Sequence, residues 1–345
     1  MDPIQALSEI AFWLERERAP VFKVQAFRRS SAALASLSER ELAARARDGR
    51  LKAMKGIGGR SLEVVQQALA GGVPDYLQNL RDHAAAETFS DAGTALFAQL
   101  RGDLHTHSDW SDGTTSVQTM VQAAAALGRD YLALTDHSPN LTIANGLSAD
   151  RLAAELDLVD QINIDQINAG DGGVRLLSGI EVDILDDGAL DQQPELLDRL
   201  DVVVASLHSH LRADESTVTR RLLGAITDPR TNVIGHITGR LVEGGRGTRP
   251  QSQFDAQRVF AACAEHHVAV EINSRPERQD PPDDLVRLAI DAGCLFSIDS
   301  DAHAPGHLDF LRYGAERAAA NAVPVHRIVT TWPVERLLEW SRAGR

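Results

Sequence analysis

The sequence predicts an α/β protein: a seven-stranded (β/α) barrel preceded by a small all-helical domain. Three observations carry this expectation. From about residue 100, short apolar runs alternate with helical patterns, as in parallel strands covered on both faces. Before that point the chain is rich in Ala, Leu and Arg at helical spacing. Histidines and carboxylates recur just past almost every apolar run, at the end of a barrel where active sites form.

At 345 residues the chain has room for two domains, expected at 1–95 and 96–345. Nothing resembles a signal peptide, and no apolar run reaches the roughly 18 residues of a membrane span, so no membrane partner is expected. Cys263 and Cys294 form no disulfide framework and read as core residues, which fits a reducing cytoplasm. The net charge of −14 is uneven. Residues 16–60 hold 12 basic and 4 acidic side chains, while residues 96–345 hold 22 basic and 37 acidic. An acidic protein with one basic segment suggests a polyanion met by its N-terminal part, against the alternative of a solvated helix face.

In the first domain, Ile4, Leu7, Ile10, Ala11 and Leu14 mark one helix face. Residues 51–72, LKAMKGIGGRSLEVVQQALAGG, read as a helix end, a glycine hairpin and a helix of about twelve residues. Backbone N–H groups around Gly56 and Gly58 would converge with the next helix N-terminus to make an anion site. Together with PVFKVQAFRRSSAALASL (20–37), the stretch resembles the helix-hairpin-helix domain that leads family X DNA polymerases. That resemblance implies sequence-independent DNA binding, with Arg28, Arg29, Lys55, Gly56, Gly58 and Arg60 as candidate contacts. Lyase versions of the domain carry a Schiff-base lysine where this register places Val64, so lyase activity is not expected. A helical cap that only packs on the second half is the alternative.

The strands follow in order: one before His105, then YLALT (131–135), LLSGIEV (176–182), DVVVASL (201–207), NVIGH (232–236), VAVEIN (268–273) and CLFSID (294–299). In GDLHTHSDWSDG the first places His105 and His107 two apart, hence on one face of a strand, with Asp112 close behind. The second is followed by His137, the third carries Glu181, the fourth His208, the fifth His236, and the seventh Asp301 and His303. A lone histidine after a strand is ordinary. Imidazoles and carboxylates at six of seven strand ends predict a site for divalent transition metals.

These motifs, with LTDHSPNLTIANGLS, SGIEVDILDDGALD, GHITGR and EINSRPERQD, resemble the PHP (polymerase and histidinol phosphatase) family, and in particular the PHP module of bacterial family X polymerases. The resemblance implies a barrel holding three divalent metals: one on His105, His107, Glu181 and Asp301; a second on Glu181, His208 and His236; a third on Asp112, His137 and His303. Manganese or zinc suits this shell, with iron as a further candidate. Three divalent ions against three carboxylates leave a charge of about +3, which attracts phosphate and lowers the pKa of a bridging water. Arg240 and Arg278 match basic positions of the family motif and are candidate phosphate contacts, and His210, which the strand period places on the same face as His208, is a candidate substrate contact. Asp109, Asp183 and His307 are weaker candidates.

Only about 15 residues separate the two parts where such polymerases carry palm, fingers and thumb, so polymerase activity is not expected. The leading expectation is a metal-dependent phosphoesterase acting on DNA, as 3′–5′ exonuclease, 3′-phosphatase or both, by metal-activated hydroxide. The alternative enzyme is a small-molecule phosphatase, with histidinol phosphate or a nucleotide as substrate. A non-catalytic DNA-binding scaffold is the reading from another class, and an open trinuclear ligand set argues against it. Oligomeric state is open.

Overall fold

Asp2 opens the first helix by accepting a hydrogen bond from the Gln5 backbone N–H at 2.8 Å, and Pro3 follows where no N–H partner is needed. Helix α1 (Pro3–Arg16) buries Ala6, Leu7, Ile10, Ala11 and Leu14, the face read from the sequence except for Ile4, which is partly buried. They share one core with Phe27 and Leu34 of α2 (Val21–Ala35), Leu42 of α3 (Glu39–Arg47), Val64 and Val65 of α4 (Gly59–Leu69), and Leu77 of α5 (Asp75–Ala86). Each Leu, Ile, Val or Phe among them contributes about 1.5–3 kcal/mol when fully buried. Val64 is wholly buried, so the position read as lacking the lyase lysine serves the core. The structure is a computed structural model that describes residues 1–170, 173–245 and 247–343.

Between α3 and α4 lies the glycine hairpin. Gly56 has φ +94°, and a Cβ there would sit in a strained backbone 3.5 Å from the Arg29 carbonyl. The Ser30 hydroxyl of α2 donates to the Gly56 carbonyl at 2.7 Å and fixes the turn. Helix α4 starts at Gly58 without a side-chain cap, and a Cβ added at Gly58 or Gly59 would meet nothing within 4 Å. Its N-terminus is open.

The chain divides into two compact units, Met1–Thr88 and Phe89–Arg345. Helix α6 (Asp91–Phe97), which straddles the expected boundary at 95, belongs to the second. Ser90 caps it, and Glu316 accepts hydrogen bonds from the Ser90 N–H and hydroxyl at 3.0 and 2.9 Å.

The second unit carries seven parallel strands in sequential order: β1 (Gly102–Thr106), β2 (Tyr131–Leu134), β3 (Arg175–Asp183), β4 (Val202–Ser206), β5 (Val233–Ile234), β6 (Ala269–Asn273) and β7 (Leu295–Asp299). Nearly every strand residue is buried, because helices cover the outside and side chains fill the inside. Strand β3 pairs with β2 through Ser178 and with β4 from Gly179, which bends the sheet round. The β1–β7 seam closes by other means. Asp299 accepts from the Leu104 N–H at 2.8 Å, Asp103 accepts from the Ser300 N–H at 3.1 Å, and Thr106 bridges Ala302. Burial pushes the Asp103 carboxyl up to about 6. Cys263 and Cys294 are buried and unpaired, as read. Among the described residues, no helix is long and apolar enough to cross a membrane.

Candidate metal centre

Glu181 stands at the middle of the site. It projects from β3 with its side chain fully buried, and five imidazoles face its carboxylate. Nε2 of His236, His208 and His105 lie 2.9, 3.2 and 3.3 Å from Oε1. Nδ1 of His137 and Nε2 of His107 lie 2.8 and 3.7 Å from Oε2. Asp301 reaches His107 Nε2 at 3.6 Å, while Asp112 lies 3.4 Å from His137 Nε2 and 3.2 Å from His303 Nε2. All nine residues that the resemblance implied as ligands therefore converge.

These spacings suit ions. Ligand atoms about 2.1 Å from a tetrahedral or octahedral metal stand roughly 3.0–3.4 Å apart. Both Glu181 oxygens, His105 Nε2 and both ring nitrogens of His107 are buried without a hydrogen-bond partner, a costly arrangement unless an ion satisfies them. Donor atoms lie within 4.8 Å of one another in three groups: His107, Asp112, His137 and His303; His105, His107 and Glu181; and His137, Glu181 and His208. Burial alone would push the Glu181 carboxyl up, but His208, His105 and His137 hold it well below the usual carboxylate range. Asp301 is likewise held low against its burial, by Arg275 and Arg278. Both are therefore held as anions, as a cation site requires.

Supporting groups fix the rings. His105 Nδ1 is 2.6 Å from Glu271, and His208 Nδ1 contacts Asp183, so each turns Nε2 toward Glu181. Asn273 donates to Glu271 and to Asp301, both at 3.1 Å. Glu271 and Asn273 stand on one face of β6, the strand that supplies no ligand. Glu271 was not singled out from the sequence, although an acid inside the apolar run VAVEIN is a signal. Asp183, a weak candidate there, has a definite role here.

The first loop is shaped by backbone. Gly113 donates to the Ser108 carbonyl at 2.8 Å, and a Cβ on Gly113 would lie 2.6 Å from that carbonyl and 2.8 Å from the His107 carbonyl carbon. No side chain can yield to relieve this. Gly113→Ala is expected to displace Asp112 and lower metal content, as elemental analysis would read; wild-type content would contradict the account of the loop.

Other candidates lie differently. Arg278 Nε donates to Asp301 at 3.0 Å, beside the candidate ligands. Arg275, overlooked in the sequence, is as near: its Nη1 is 3.2 Å from His303 Nδ1. Arg240 instead donates to the carbonyls of Arg278 and Gln279, so it props up the loop bearing Arg278. His210 is largely exposed, 3.8 Å from Asp186; β4 ends at Ser206, and the alternation that aligned it with His208 does not extend that far. In the first unit Arg29, Lys55, Gly58 and Arg60 are exposed, with Arg60 paired to Glu63 at 2.7 Å. Arg28 donates to the buried Glu15 at 2.7 Å and is committed to that pair.

The model of the PHP domain matches residues 103–275. The DNA polymerase/3′-5′ exonuclease PolX of Bacillus subtilis is 36% identical over 233 residues, 67% of this chain but 39% of that protein. This chain thus spans about two fifths of PolX. A protein of Aeromonas hydrophila named "Probable phosphatase" is 28% identical over 248 residues, covering 68% of this chain and 88% of its own. Among solved structures, histidinol phosphate phosphatase of Lactococcus lactis, complexed with zinc, L-histidinol and phosphate, aligns at 19% identity and a TM-score of 0.45, over 65% of this chain and 94% of that one.

Proposed function

The chain belongs to the PHP family of metal-dependent phosphoesterases, and from that premise we propose that it hydrolyses phosphoesters of DNA at a trinuclear centre, as a 3′–5′ exonuclease, a 3′-phosphatase or both. The observation that carries the chemistry is the buried Glu181 carboxylate ringed by five imidazoles. Three divalent ions, manganese or zinc for so imidazole-rich a shell, would supply Lewis acidity and an activated water. His105, His107, Glu181 and Asp301 would hold the first, Glu181, His208 and His236 the second, and Asp112, His137 and His303 the third.

The chain's own residues do the rest. Glu271 and Asp183 orient the rings of His105 and His208. Arg278 and Arg275 place guanidinium groups against the ligands, where a phosphate would meet them, and Arg240 steadies the loop beneath.

Two observations support DNA over a small phosphoester. The open helix start at Gly58–Gly59 suits a phosphate backbone, and one relative is named as an exonuclease. The small-molecule phosphatase remains a second reading, favoured by the 88% of the Aeromonas protein that the chain covers. End-labelled single- and double-stranded DNA, incubated with manganese-loaded protein beside p-nitrophenyl phosphate and histidinol phosphate, distinguishes them. We expect shortening from the 3′ end with little sequence preference; histidinol phosphate turning over far faster than any DNA end would favour the second reading. Removing residues 1–88 is expected to weaken DNA binding and its steep salt dependence while sparing p-nitrophenyl phosphate hydrolysis. Undiminished binding by the truncated protein would leave the first unit only a cap. Charge reversal for such tests belongs at Arg29 and Lys55, since reversing Arg28 would strand the buried Glu15.

A further inference from the structure

The helix Ala149–Ala169, which follows β2 in the chain, buries Leu152, Leu156 and Val159, and among them stands an acid. Glu155 is 2% exposed, and its Oε1 is buried with no donor facing it. An ionised carboxylate would be costly in that place. The guanidinium one turn earlier is committed elsewhere: Arg151 donates to the Asn145 carbonyl at 2.7 Å and to the Trp110 carbonyl. Burial, together with the carboxyl group of Asp136 in hydrogen-bonding reach, pushes Glu155 well above the usual carboxylate range. Glu155 is a neutral acid with one proton to give.

Asp136, which is wholly buried, is placed to accept it. One Asp136 oxygen takes the Ser108 N–H at 2.8 Å and the Ser111 hydroxyl, and the other takes the Ser108 hydroxyl at 2.5 Å. The Ser108 oxygen accepts from the Trp110 N–H at 3.1 Å, which leaves its own proton for Asp136. Since both Asp136 oxygens already accept, the proton between the two carboxyl groups belongs to Glu155. Each residue gathered here adjoins a candidate ligand: Ser108 follows His107, Ser111 precedes Asp112, and Asp136 precedes His137. Those three neighbours, with His303, form one group of donor atoms, the one proposed to hold the third metal.

We propose that Glu155 is a positioning residue for the third metal site: its carboxyl proton completes the hydrogen bonds of Asp136, which fix the loop of Asp112 against the strand end that carries His137. The inference rests on the trinuclear reading and adds to it a group that belongs to none of the three donor clusters. Withdrawing the proton donor leaves a buried carboxylate short of a partner, and the serines that shape the loop are then free to shift.

Two substitutions separate the hydrogen bond from the packing. Glu155→Gln keeps a donor for Asp136, whereas Glu155→Met keeps the length and removes the donor. In intact protein titrated with manganese, Glu155→Gln is expected to hold as many metals as wild type and to hydrolyse p-nitrophenyl phosphate at a comparable rate. Glu155→Met should bind one metal per chain about 10–100-fold more weakly, the size of effect common for groups that orient ligands. Added to Asp112→Ala, which already frees that metal, Glu155→Met should weaken nothing further. Equal loss in both Glu155 variants, no loss in Glu155→Met, or losses that add to those of Asp112→Ala would each overturn the role. Infrared spectroscopy gives a reading that does not depend on Glu155→Met folding. The carbonyl stretch of a protonated carboxyl group should appear in wild type and be missing from Glu155→Gln. Three metals in wild type without that band would overturn the role of Glu155 alone, while one metal or fewer in wild type would overturn the trinuclear centre and the third-site role with it.

Discussion

Glu181→Ala protein is expected to leave purification nearly free of metal and to hydrolyse phosphoesters at least about a thousandfold more slowly, equivalent to about 4 kcal/mol of lost transition-state stabilisation. Among the described residues no other side chain faces as many potential ligands: His105, His208 and His236 approach one oxygen, His107 and His137 the other. Removing it withdraws a charge from the first two sites and leaves imidazoles crowded in a buried space. Asp112→Ala, by contrast, touches only the group with His137 and His303 and should release chiefly the third metal. Circular dichroism distinguishes loss of the site from loss of the fold. If Glu181→Ala retains its metals, the carboxylate is not the bridge.

Glu271→Gln is expected to lower metal affinity and turnover by about 10–100-fold with little change in thermal stability. The carboxylate lies 2.6 Å from His105 Nδ1 and accepts from Asn273 at 3.1 Å, yet belongs to none of the three donor groups. An amide of the same shape can present its N–H₂ to Nδ1, which would then favour the tautomer with its proton on Nε2, the atom that should meet the metal. The test is a manganese or zinc titration of the variant beside wild type, with turnover measured at saturating metal. Unchanged affinity would mean that His105 needs no orienting partner.

The barrel was largely legible because each strand is a short apolar run and each ligand lies in or just past one. Period and position sufficed, even for β5, whose two residues sit within the read segment NVIGH. What escaped depends on contacts between distant residues. Glu271 and His105 are 166 positions apart, and no local pattern joins them. Arg28 reads as a candidate DNA contact beside Arg29, but the turn between α1 and α2 brings it onto Glu15. His210 was aligned with His208 by extending a strand beyond its end at Ser206, where the backbone instead turns to φ +53°. Arg275 and Arg278 share one loop, and the sequence does not show that both flank Asp301.

The most direct test of the central claim is the metal content of gently purified protein, measured by elemental analysis before and after reconstitution with manganese or zinc. The trinuclear reading predicts close to three transition metals per chain, held by the three groups of donors that include Glu181 and Asp112. A reproducible value of one or fewer after reconstitution would contradict the trinuclear centre.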